Sequence, residues 1–250
     1  MPSAADRRAD LAGPEPGTAE TVRDWVAFWD SKHSIYVNAR HHRAHYLRIA
    51  DDLRRYVPAG GAVLDYGCGE ALAAEQIAQP AGRLVLCEAA PALRTTLTKR
   101  FAGNGKITVA TPDQVAAMPP QSLDLIVMHS VAQYLTPDEL DAQLAVFHRL
   151  LKPDGKLLLG DVIPTTVSAA TDALALLRFG AREGFFFAAL FGLARTAFSN
   201  YRSLRSKLGL SRYDERAITE KLQSAGFTAV RAADNVGHNP ARMTFLARAL

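Results

Sequence analysis

The chain has 250 residues, 48% hydrophobic and 22% charged, the balance of a folded protein of one or two domains rather than a disordered chain. Its two cysteines, Cys68 and Cys87, are too few for a disulfide scaffold, so a reducing, cytoplasmic setting is expected. The longest apolar run, 185–194, has ten residues, short of the ~18 that span a bilayer, and no apolar stretch follows the N-terminal arginines, so no secretory leader is expected. The net charge is +4 and unevenly spread: 178–216 holds eight basic and three acidic residues, +5 net, leaving −1 for the remainder. Such a local excess suggests one partner surface rather than a protein that coats nucleic acid.

In chain order, residues 1–20 are rich in Ala, Pro and Gly, lack periodicity and read as a tail. A helix is expected over 21–30, carrying Trp25, Phe28 and Trp29, then a loop over 31–38. A second helix is expected over 39–57, with Tyr46, Ile49, Leu53 and Tyr56 at helical spacing. Together, 21–60 form a helical N-terminal segment. From Ala62 the pattern changes to short apolar strands alternating with helices. The strands are expected at 62–65, 83–87, 107–110, 123–128 and 156–159. The helices between them are expected at 70–78, 91–101 and from Pro137, where Thr136-Pro-Asp-Glu139 forms a capping box. This alternation implies βαβ units and a parallel sheet. Residues 165–212 then read as a helical insertion carrying the basic excess. A helix over 214–225 stopping at Gly226 and strands at 227–232 and 243–247 close the chain.

The sharpest motif is Val63-Leu64-Asp65-Tyr66-Gly67-Cys68-Gly69-Glu70-Ala71, a strand ending in a carboxylate and a Gly-x-Gly turn opening a helix. A dinucleotide fold would seat a pyrophosphate there, but the third glycine of that fingerprint is replaced by Leu72, and Asp65 would repel phosphate. A cationic ligand without phosphate would instead favour the acid, and S-adenosylmethionine (SAM) has that chemistry.

Asp65-Tyr-Gly-Cys-Gly69 resembles the first motif of the class I SAM-dependent methyltransferases, departing from its commonest form at Ala71, where a third glycine is usual. Further likenesses follow in order. Glu88 ends the second strand, 19 residues beyond Gly69; Asp113 follows the third. Leu123 to Leu135 resembles the family's fourth strand and loop, Leu150 to Leu159 its helix-turn-strand passage, and Ala225-Gly226-Phe227 the entry to its last strand pair. The resemblance implies an α/β, Rossmann-like, seven-stranded and mostly parallel sheet with helices on both faces. The last strand would be antiparallel, with a helical N-terminal lid over 21–60 and a helical cap inserted at 165–212 of the 61–250 domain. It implies SAM as cofactor, with S-adenosylhomocysteine (SAH) as product. In the family, the turn backbone of Asp65, Tyr66, Gly67, Cys68 and Gly69 approaches the methionine part of SAM, with the acid holding its amino group. Glu88, beside Ala89, takes the ribose hydroxyls. Asp113 lies near the adenine amino group, and Gln114 and Val115 supply backbone and packing. His129 and Ser130 stand at the cofactor wall.

Several assignments stay open on sequence alone. His129 is either a general base for an acceptor hydroxyl or only a wall residue; Tyr36 and Tyr134 are further candidates at the reaction centre. His33, His41, His42 and His45 cluster, with His41 and His45 at a metal-compatible spacing, but no Cys or carboxylate set completes a site, and no metal is expected. Trp25, Trp29 and Tyr36 are lid residues facing the sulfonium or a helix–helix core. Cys68 and Cys87 read as small buried hydrophobes. The greasy stretch 173–210 is a substrate cap, a subunit or core contact, or a helix resting on anionic lipid. The acceptor is expected to be a small molecule or lipid-like; nucleic acid is disfavoured, because no Asn-Pro-Pro-Tyr-like motif follows the fourth strand. A non-catalytic SAM-fold partner and an NAD(P)-dependent reductase are the alternatives, the latter opposed by the absence of a Tyr-x-x-x-Lys pair.

Overall fold

A computed structural model describes residues 19–30, 36–196 and 209–249. Seven strands form one sheet: β1 (Ala62–Tyr66), β2 (Arg83–Cys87), β3 (Ile107–Ala110), β4 (Leu123–His129), β5 (Leu151–Val162), β6 (Phe227–Arg231) and β7 (Met243–Ala249). Their order is β3-β2-β1-β4-β5-β7-β6. β1 to β5 pair in parallel, and β7 runs antiparallel to both its neighbours. The helices are α1 (Ala19–Asp30), α2 (Ala39–Arg54), α3 (Ala74–Ala78), α4 (Pro91–Phe101), α5 (Pro112–Ala116), α6 (Pro137–Leu150), α7 (Ala169–Glu183), α8 (Phe186–Thr196) and α9 (Glu215–Ser224). This is the Rossmann-like architecture expected from the sequence.

The central strands β1, β2, β4 and β5 are largely apolar on both faces because both faces are covered. Leu64, Ile126, Met128, Leu157 and Leu159 point to one side, where they pack with Leu140, Leu144 and Phe147 of α6 and Ile218 and Leu222 of α9. Their neighbours Val63, Leu84, Leu86, Leu125, Val127 and Leu158 point to the other, against Ala50 and Leu53 of α2, Ile77 of α3, and Leu97 and Phe101 of α4. The one polar interruption of β4, Asp124, accepts the Ala62 N–H at 2.8 Å and pairs with Lys152 at 2.8 Å. These bonds satisfy a carboxylate that the apolar run would otherwise strand. Thr136 caps α6 as the motif dictates, accepting from Glu139 N at 3.1 Å while the Glu139 side chain accepts from Thr136 N at 2.8 Å.

Four boundaries differ from expectation. The helix expected over 70–78 forms only at Ala74–Ala78, because Gly67, Gly69 and Ala71 all hold positive φ, +77°, +57° and +45°, and a left-handed residue cannot sit inside a right-handed helix. α2 stops at Arg54, before Val57. β5 is longer than its apolar stretch, running from Leu151 through a register shift to Val162. The insertion is not one helical block: Gly184 at φ +75° ends α7 and turns the chain into α8, while residues 209–214 are not helical. Residues 1–18 of the expected tail lie outside the described residues, as do His33 and the basic residues Arg202, Arg205 and Lys207.

Ala71 occupies a backbone region that costs an L-residue about 1–2 kcal/mol and glycine almost nothing. Ala71→Gly is therefore expected to leave the protein at least as stable, with a gain of up to about 1 kcal/mol after glycine's extra unfolded-state entropy is counted. Urea unfolding measures it, and a loss of stability would contradict the strain argument.

Candidate active site

The strand order reverses between β1 and β4, the crevice where open α/β sheets take ligands. A cavity of about 510 Å³ lies there, at the carboxyl ends of β1, β2, β4 and β5. Its floor is the turn after β1. Gly67 N and Cys68 N both donate to Cys87 O, at 2.8 and 3.1 Å, lashing the turn to the end of β2. Gly67 has a second reason to lack a side chain: a Cβ there would lie 2.3 Å from Val131 Cγ2.

Glu88 braces the same turn. Its Oε2 accepts Gly69 N at 2.9 Å and its Oε1 accepts Ala90 N at 2.8 Å. Arg94 holds the following loop by donating to the carbonyls of Glu88 and Ala89, at 2.9 and 2.6 Å. Burial raises the Glu88 carboxyl above its ordinary value, against the pull of these backbone N–H groups and Arg94. Asp65 is treated differently. No hydrogen bond or ion pair engages its carboxylate among the described residues, and burial, reinforced by Glu88, pushes it up to about 7. Two acids thus stand side by side, one braced by backbone donors and one uncompensated.

The opposite wall comes from the N-terminal helices and from loops distant in sequence. Trp25 and Trp29 of α1 reach the cavity and meet Tyr134 with ring centroids 4.7 and 5.9 Å away. Tyr46 of α2 accepts Glu70 N at 2.9 Å, and its hydroxyl shares a hydrogen bond with Tyr36. Burial pushes the Tyr36 phenol to about 12. The Tyr36 ring stacks on His42, 4.2 Å away at 26°. His45 also lines the cavity. No hydrogen bond engages its ring among the described residues, and burial, then the neighbouring histidines, hold it well below the histidine range. His238 lies beside it, 5.8 Å between ring centroids, stacked on Phe179 at 4.6 Å, and burial lowers it too.

His129 is held at both ring nitrogens. Nε2 is 3.0 Å from the Val236 carbonyl and Nδ1 is 3.2 Å from Ser130 Oγ. Ser130 in turn donates to Asp161 Oδ2 at 2.6 Å. Ser130 and Asp161 both sit at positive φ, +56° and +58°, so the ends of β4 and β5 hold strained backbone where they meet. Asn235 completes the junction, accepting Asp161 N at 3.2 Å and Thr244 Oγ1 at 2.8 Å.

Of the residues expected at the site, Tyr36, Asp65, Tyr66, Gly67, Cys68, Gly69, Glu88, Ala89, His129, Ser130 and Tyr134 line this one cavity. Asp113, Gln114 and Val115 do not; Pro112 lines it in their stead. Val115 is fully buried in the core, and the Gln114 side chain accepts Thr111 N at 2.8 Å as part of a capping box. Cys68 and Cys87 are free and buried, their thiols pushed up by burial and by the nearby carboxylates. His41 turns away from the cavity: its Nδ1 accepts Val37 N at 3.3 Å and its ring stacks on Phe185. No cluster that could hold a metal ion occurs among the described residues. Asp161, His238 and Arg242 were not singled out from sequence. His238 lies in a loop whose only sequence signal was its turn-rich composition, and Asp161 follows an apolar strand without a motif of its own.

Residues 64–159 match a family model described as a methyltransferase domain. No curated protein matches the sequence. Among solved structures, the DhpI–SAH complex is similar over 93% of this chain and 98% of its own, with 12% identity and a TM-score of 0.60. The 1,6-didemethyltoxoflavin-N1-methyltransferase of Burkholderia thailandensis, solved with 1,6-didemethyltoxoflavin and SAH, aligns over 95% and 91%, with 16% identity and a TM-score of 0.57. The magnesium protoporphyrin IX methyltransferase of Synechocystis PCC 6803, solved with SAH, aligns over 93% and 95%, with 16% identity and a TM-score of 0.55. The family model spans β1 to β5, the strands whose ends carry the cavity, and the fold extends the likeness over nearly the whole chain. Residues 64–159 thus match a methyltransferase-domain family, and the fold around them is shared with solved structures that hold SAH.

Proposed function

We propose that the protein transfers the methyl group of SAM to a small, uncharged, planar acceptor held in the aromatic half of the cavity. The observation that carries this reading is Asp65, a deep carboxylate without a protein cation, beside a turn whose glycines leave the backbone open to a ligand. The residues fit the cofactor. Asp65 suits the amino group, an uncompensated acid meeting a cation. Each Glu88 oxygen accepts one backbone N–H and keeps a lone pair for a ribose hydroxyl. The sulfonium of bound SAM makes its methyl carbon open to attack by a nucleophile.

The chain's contribution is placement and exclusion of water. Trp25, Trp29, Tyr36 and Tyr134 offer flat apolar faces to an acceptor ring. The charged groups of this half are already engaged: Arg242 is bound to Asp172 at 2.9 Å, and Asp161 to Ser130 and Asn235. That wall favours a neutral acceptor over an ion. α1 acts as the lid, and the first half of α2 as a fixed wall. A lipid-like acceptor is accommodated by the same chemistry.

Of the three imidazoles that line the cavity, His129 and His45 take different roles. His129 is a positioning residue, because both its nitrogens are spent on Val236 and Ser130. His45 is the proton acceptor for a hydroxyl or amine acceptor: its ring carries no hydrogen bond among the described residues, and burial keeps it neutral at ordinary pH.

Two predictions follow from these assignments. The carboxylate form of Asp65 binds the amino group, and with its carboxyl near 7 in the empty protein, protonation competes as pH falls. SAM affinity is expected to weaken roughly tenfold from pH 7.5 to pH 6, with a proton released on binding near pH 7. Calorimetry in buffers of different ionisation enthalpy measures both. Asp65→Asn should bind SAM at least tenfold more weakly and flatten the profile; wild-type affinity and slope in this variant would refute the site. For His45, methyl transfer from labelled SAM to a panel of phenols and heteroaromatic amines identifies an acceptor. On that acceptor, His45→Gln is expected to lower kcat at least a hundredfold with SAM affinity kept. The acid limb of wild-type kcat should fall below the usual histidine range. An unchanged kcat in the variant would remove His45 from the proton path.

A further inference from the structure

α8 is apolar around its whole circumference. Its inner face, Phe185, Ala189 and Gly192, packs against Val37 and the α2–α7 core. Its outer face presents Phe187 and Phe191, 83% and 73% exposed, with Leu190 at 50% and Phe186 at 38%. No charged residue occurs from 186 to 194. A helix apolar all round is ordinarily buried on every side, and among the described residues nothing covers this outer face. On adjacent α7, Leu174, Arg178 and Arg182 recur at four-residue spacing and are exposed. The corner at Gly184 lies against the guanidinium of Arg40, whose carbon is 3.0 Å from where a Cβ would sit. The end of α8 and the chain that follows it carry five basic residues and no acid from 195 to 213.

We propose that the outer face of α8, with the arginines of α7 beside it, docks on an anionic lipid bilayer. Protruding aromatic side chains flanked by basic residues are the arrangement that inserts into an interfacial layer while pairing with lipid headgroups. A second copy of the chain fits less well. At about 200 Å² per exposed aromatic, the patch offers on the order of 450 Å², short of the ~800 Å² per partner of a stable interface. A two-fold dimer through this patch would also set its arginines against themselves. The inner face of α7 bears on the cavity wall, where Phe179 stacks on His238. The docking surface rests on these exposures and charges and does not depend on which acceptor is methylated.

Co-sedimentation of the full chain with phosphatidylcholine vesicles, with and without phosphatidylglycerol, tests it. Binding is expected to the anionic vesicles only, weakened by high salt. The double variant Phe187→Ser, Phe191→Ser should lower partitioning at least tenfold while binding SAM as the wild type does. Arg178→Glu, Arg182→Glu should abolish the preference for anionic lipid. Failure of a SAM-binding chain to sediment with anionic vesicles would overturn the proposal. So would equal binding by the serine variant. A solution dimer by light scattering that the serine variant dissociates would assign the face to a second copy and likewise overturn it.

Discussion

The site depends on one carboxylate that the protein satisfies and another that it leaves unsatisfied. Glu88 spends its two oxygens on the N–H groups of Gly69 and Ala90, which fixes the turn after β1 against the loop after β2. A carboxylate accepting backbone N–H bonds in a buried place is a strong tie. It holds open a concave backbone surface that a side chain on Gly67 would fill. Asp65, on the strand beside it, receives no such compensation, and its negative charge is costly until a cation arrives. On the proposed reading, the free protein stores part of the driving force for cofactor uptake in the environment of one side chain.

The N-terminal helices are coupled to that turn. Tyr46 takes the Glu70 N–H, His42 lies 3.2 Å from the Glu70 carboxylate, and a Cβ on Gly69 would fall 2.8 Å from the Tyr46 hydroxyl. The residues that close over the cavity thus touch the residues that would hold the cofactor. The far side of the cavity is organised by a second junction, in which Ser130, Asp161 and Asn235 join the ends of β4 and β5 to the β6–β7 loop. Its strained backbone is sustained by hydrogen bonds from three separate segments.

Much of this was legible in the sequence, for a physical reason. A strand covered on both faces must be a nearly unbroken apolar run, so β2 and β4 fell where the residue pattern put them. Asp65 and Glu88 were readable because they end successive strands around a glycine turn. The start of α3 was not, because a left-handed alanine leaves no compositional mark. The surroundings of His129 and His45 were hidden for a different reason. Sequence places His129 at a strand end but not the Val236 carbonyl against its ring, since that carbonyl arrives from 107 residues away. His238 and Arg242 reach the cavity only because β7 returns antiparallel beside β5. The greasy stretch after β5 was recognisable as unusual, but only the packed structure separates its covered face from its exposed one.

α2 has a double duty with a mechanical consequence. Its first half faces the cavity, while Ala50 and Leu53 in its second half are 1% exposed within the sheet-covering core. Swinging this helix aside as a door would pull those side chains out of the core and break the hydrogen bond from Gly237 N to Asp52. α2 is therefore a fixed jamb. Opening falls instead to α1, whose ties among the described residues include the buried Trp25, the ring contacts of Trp25 and Trp29 to Tyr134, and a hydrogen bond from Ala92 N to Asp30.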